Sequence, residues 1–73
     1  LLTAELRDNL QTALDQLPEG YRLLLTLRHL QGLSYAEIAD ITEMPLGTVK
    51  TGIFRARRQM REALSEYGQI ENG

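Results

Sequence analysis

Two helix-start signals lie so close together in this chain that only a short helix and a tight turn fit between them. The first is Ser34-Tyr35-Ala36-Glu37, where a serine is followed three residues later by glutamate. That is a capping box: the Ser34 hydroxyl accepts from a free amide of the first turn, and Glu37 reaches back to the Ser34 amide. The second is Pro45, whose fixed φ and missing N–H cost nothing at the first position of a helix. Thr42-Glu43-Met44 then forms the turn. The spacing predicts a short third helix over roughly 35–41, burying Ile38, Ala39 and Ile41, and a fourth helix opening at Pro45 or Leu46.

The fourth helix is the longest, running to near Glu66. At 100° per residue Leu46, Val49, Ile53, Ala56, Met60, Ala63, Leu64 and Tyr67 fall within one stripe about 120° wide. Lys50, Thr51, Phe54, Arg55, Arg58 and Arg61 point largely away from it. Upstream, Leu6, Leu10, Ala13, Leu14 and Leu17 recur at helical spacing, and Pro18-Glu19-Gly20 ends that first segment. A second helix is predicted from about Glu19 to Leu30, with Leu23, Leu24, Leu27 and Leu30 inward and Gly32 closing it. The tail after Gly68, "QIENG", is polar and expected to fray. The result is a single all-α domain of four helices over residues 1–73, without a sheet.

Charge adds direction to this frame. The chain is net −2, yet residues 50–61 hold Lys50, Arg55, Arg57, Arg58 and Arg61 with no acid among them. These are five of its eight basic residues, so the distribution carries more information than the total. A short helix, a tight turn and a longer helix with a basic outer face make a helix-turn-helix, here spanning about 34–66. In that arrangement basic side chains of the second helix meet phosphates and the acceptor edges of guanine in the major groove.

Other function classes find little support. Seventy-three residues leave small room for a catalytic cleft. There is no cysteine, hence no disulfide or Cys-based zinc site, in keeping with a reducing compartment. His29 is the sole histidine, a poor metal ligand by itself, and reads as a half-exposed helix residue. Neither it nor the dispersed carboxylates and hydroxyls suggest a catalytic set, so no enzyme, metal or cofactor is expected. The apolar run Leu23–Leu27 is interrupted by Arg28 and His29, far short of a membrane span. The chain opens on Leu1 and not Met, which suggests a fragment of a longer protein.

Residues 13–64 closely resemble region four of bacterial sigma factors, with the extracytoplasmic-function (ECF) group the best match. Three pieces carry the likeness, in the right order and spacing: "LDQLPEGYR", "GLSYAEIA" and "GTVKTGIFRAR". The resemblance implies a winged-helix-like fold of the sigma region 4 type. It implies a cytoplasmic domain that reads the promoter's −35 element. It also implies docking on the β flap of RNA polymerase and masking by an anti-sigma factor. Residue by residue, Lys50, Thr51, Phe54, Arg55 and Arg57 occupy positions where relatives meet the promoter, and Arg58 belongs to the same basic run. Arg28 matches a family position on the DNA backbone, and Thr48 offers its hydroxyl beside the helix-end amides.

The chain also departs from the pattern. Relatives commonly carry Ser-Arg where Thr51-Gly52 stands, and glycine or another small turn residue at Glu43. Gly52 either permits close approach of DNA or a partner, or is simply tolerated. Phe54 divides between the core and a thymine methyl, and Arg57 between DNA and an acid such as Asp40 or Glu43. Leu1, Leu2 and part of Leu23–Leu25 are candidates for an exposed partner patch. Two alternatives stand beside promoter reading. One is the output domain of a response regulator, with a similar "TVK" start. The other is a sigma-like decoy that binds an anti-sigma protein, for which the missing arginine at Gly52 is the one motive.

Overall fold

The computed structural model describes residues 3–65. Helix α1 spans Ala4–Asp15, and the Thr3 hydroxyl caps it by accepting from the Leu6 amide at 3.0 Å. Pro18 then opens α2, Glu19–Leu25, which passes into a π-helical turn over Thr26–Leu30. Gly32, at φ 72°, closes this segment in the left-handed region where a side chain is disfavoured. Helix α3 is Tyr35–Thr42 and α4 is Leu46–Ser65. The described residues are helices and connections only, as an all-α four-helix domain requires.

The core is thin and centred on α4. Val49, Ile53 and Ala56 are fully buried against Leu24 and Leu25 of α2, Ile38 of α3 and Leu17 of the connection after α1. Tyr21, Leu27, Leu33, Tyr35, Met44 and Met60 pack around this cluster half-buried. Ala13 of α1 and Leu64 of α4 are also buried.

Four apolar positions depart from the periodic reading. Leu23 and Leu30 face outward, Leu30 at 73% exposure, while Leu25 goes inside in their place. For Leu30 the cause is the π turn: the Gln31 amide bonds to the Thr26 carbonyl, one residue further back than in an α-helix. That wider turn shifts Leu30 out of α-helical register, while Leu27 still packs on the core. Ile41, expected inside, is 61% exposed, while Ile38 and Ala39 are the α3 aliphatic residues that pack on the core. Leu46, at the start of α4, is also exposed. Tyr67, Leu1, Leu2 and the tail lie outside the described residues.

Candidate nucleic-acid interface

The geometry of α3 and α4 is set locally before it is set by packing. The Glu37 amide donates to the Ser34 hydroxyl at 3.0 Å, and the Ser34 amide donates to the Glu37 carboxylate at 2.8 Å. Both bonds of the capping box are therefore made. At the other end the Thr42 hydroxyl donates to the Ile38 carbonyl at 2.7 Å. Glu43 takes the left-handed conformation, φ 60°, and the Met44 amide returns to the Ala39 carbonyl at 3.2 Å. The chain reverses there, Thr42 still belonging to α3. Pro45 gives its carbonyl to the Val49 amide at 3.1 Å as α4 begins. Ile38, buried against the same cluster as Val49 and Ile53, fixes one helix on the other.

This frame leaves Thr48, Lys50, Thr51, Phe54, Arg55, Arg57, Arg58 and Arg61 exposed along α4. Phe54 is 63% exposed, so the chain's single phenylalanine is surface and not core. The first turn of α4 contains no acid, which keeps its free amide end electropositive.

Two of the predicted cations are tied to the protein. Arg28, half-buried in the π turn, donates to the Leu33 carbonyl at 2.8 Å and lies 4.9 Å from the centre of the Tyr35 ring. It thus braces the loop that delivers Ser34. Arg57 donates its Nε–H to Nε2 of His29 at 3.2 Å, so its bonded partner is the histidine and not Asp40 or Glu43. His29 itself is more exposed than its position suggested. Burial, then the nearby Arg57 and Arg28 guanidinium groups, hold its pKa below the usual 6.5.

Gly52 has a role that the sequence reading did not reach. A Cβ built there would lie 2.5 Å from Cδ1 of Leu24, well inside ordinary carbon contact distance. The missing side chain lets α2 close on α4. Position 52 faces Leu24 of α2.

Two apolar grooves flank the cluster. One, about 680 Å³, is lined by Leu23, Leu24, Leu27, Ile41 and Met44 and borders Thr48, Thr51 and Arg55 of α4. The other, about 590 Å³, lies between α1, the π turn and the far half of α4, with Leu10, Leu14, Leu30 and Met60 in its lining. Arg7, His29, Arg57 and Arg61 also line it. The exposed leucine expected in the run Leu23–Leu25 is Leu23. Among the described residues no group of His, Cys, Asp or Glu could hold a metal ion, and no helix is long and apolar enough to cross a membrane.

Comparison with known proteins settles the family. Residues 7–60 match the family "Sigma-70, region 4". The chain belongs to it. Over 57 residues, 78% of the chain, it is 51% identical to the ECF RNA polymerase sigma-E factors of Escherichia coli K12 and Salmonella typhimurium LT2. It is 44% identical over 64 residues to the RNA polymerase sigma-H factor of Pseudomonas aeruginosa, covering 88% of this chain. The relatives place it with region 4 domains of the ECF group, and sigma region 4 domains are not enzymes. The response-regulator alternative falls away with that assignment. The chain spans about a third of the length of these relatives, 30% of the sigma-E factors and 33% of the sigma-H factor.

Proposed function

We propose that this domain reads the −35 promoter element for an ECF sigma factor, with the outer face of α4 in the DNA major groove. The observation that carries the reading is the face itself. Lys50, Thr51, Phe54, Arg55 and Arg58 stand exposed on one helix, held by a fully capped α3 and a fixed turn. Among the described residues no acid engages these cations, so their donors are open to phosphates and guanine edges. Phe54 suits a thymine methyl, and Thr48 with the free amides of the first turn of α4 suits a phosphate. Arg57 and Arg28 complete the set as backbone contacts.

The names of the relatives point to RNA polymerase as the protein partner. The groove lined by Leu23, Leu27 and Ile41 is a suitable seat for the β flap or an anti-sigma factor, and the natural setting is the cytoplasm. The exposed Lys50, Arg55, Arg57 and Arg58 favour promoter reading over the decoy alternative, which has no need of them.

The test is fluorescence anisotropy with a labelled −35-type duplex and a scrambled duplex over a range of salt. With about four to six phosphates neutralised, log affinity should fall against log salt with a slope of about −4 to −5. Arg55→Ala should weaken binding by about 1–3 kcal/mol at unchanged helix content. Equal, salt-independent affinity for both duplexes would sink the proposal.

A further inference from the structure

We propose that neutral His29 is a positioning residue for Arg57: it takes the Nε–H and leaves the two terminal amino groups of the guanidinium free to meet a DNA phosphate. The inference rests on the promoter-reading role and names a residue outside α4 that tunes it.

The donor inventory fixes the state of the imidazole. Arginine is a donor at every nitrogen and accepts nothing. A ring nitrogen 3.2 Å from Arg57 Nε must therefore present a lone pair, which leaves Nε2 unprotonated and the ring proton on Nδ1. Among the described residues this is the one side-chain to side-chain hydrogen bond that joins two helices. It joins the π turn, which carries His29, to α4.

Holding one edge of a long, rotamer-rich side chain before binding lowers the ordering cost at the moment of contact. Arg58 and Arg61, exposed on the same helix, have no such support among the described residues. The cations of α4 are therefore graded, with Arg57 pre-set.

The surroundings make the arrangement sensitive to acid. Facing His29 are Arg28 from the same turn, Arg57 and Arg61 from α4 and Arg7 from α1, and among the described residues no carboxylate lines that groove. Protonation would abolish the acceptor and add a further positive charge. Because burial, then Arg57 and Arg28, hold the folded-state pKa below 6.5, the tether is complete above pH 6.5 and is lost as pH falls through that lower folded value.

The experiment is a double-mutant cycle on the 73-residue chain, with His29→Ala, Arg57→Ala and the pair, read by anisotropy with the −35-type duplex at about pH 7.5. His29→Ala should weaken binding about two- to fivefold in the parent and have no effect once Arg57 is removed. His29→Gln, whose amide oxygen takes the place of Nε2, should restore the parent affinity. As pH is lowered through the depressed folded-state pKa of His29 the coupling should vanish, because imidazolium cannot accept. In the free chain, imidazole nitrogen shifts should show Nε2 unprotonated, and Arg57→Ala should move them. Equal losses in both backgrounds, or a proton on Nε2, would overturn the tether while leaving promoter reading intact. If the parent chain binds no duplex, the promoter role fails and the tether fails with it.

Discussion

Gly52→Ala sets two well-measured effects against each other. Replacing a mid-helix glycine by alanine normally stabilises by about 0.8–1.0 kcal/mol. Here the new methyl would sit 2.5 Å from Leu24 Cδ1, where carbon pairs prefer about 3.5–4.0 Å, so something must move by about 1 Å or more. Leu24 is only 3% exposed and shares its cluster with Ile53 and Ile38, so its methyl has little free space to enter. Overpacking of that kind costs about 1–3 kcal/mol, which leaves a net destabilisation of about 0–2 kcal/mol. In a domain this small, each kcal/mol lowers Tm by about 4–8 °C.

The decisive arm is a second background. Leu24→Val removes the offending Cδ1 and should cost about 1 kcal/mol alone. Added to it, Gly52→Ala should recover most of the helix-propensity gain and raise Tm. Four proteins measured by thermal and urea denaturation followed by circular dichroism give the coupling. Gly52→Ala stabilising by about 1 kcal/mol equally in both backgrounds would refute the close approach of α2 to α4.

Two further outcomes follow from the same frame. Glu43, the one described non-glycine residue with positive φ, should be improved by Glu43→Gly, with a gain of about 0.5–1 kcal/mol in urea denaturation. A loss would mean that the turn does not reverse through a left-handed residue. Ile53→Ala, at a fully buried site, should cost about 2–5 kcal/mol, whereas Leu46→Ala should stay within about 0.5 kcal/mol. Similar costs at the two sites would contradict the position of the core along α4.

What the sequence made legible was whatever depends on near neighbours. Ser34 and Glu37 sit three residues apart and meet each other across one helical turn, so their spacing alone determines the cap. Val49, Ile53 and Ala56 recur on one face because an α-helix repeats every 3.6 residues, and all three are fully buried. The exposure of Lys50, Phe54 and Arg58 followed from the same geometry. What escaped depends on the partner across the gap. Periodicity assigns a face to Leu30 only while the helix stays α, and the π turn breaks that condition. It gave Ile41 an inward face without saying whether any helix would arrive to cover it. Gly52 announces an absent side chain but not the identity of Leu24, which fills the space. His29 and Arg57 are likewise distant in sequence, and neither residue carries a local mark of the other.

The central claim is that the outer face of α4 meets promoter DNA. The most direct test is to titrate the isotopically labelled chain with −35-type and scrambled duplexes at low and moderate salt, following each amide. The account predicts shifts concentrated over residues 48–58, larger for the −35-type duplex and reduced by salt, with Ile53 and its buried neighbours changing little. Shifts spread evenly over the surface, or none at low salt, would contradict it.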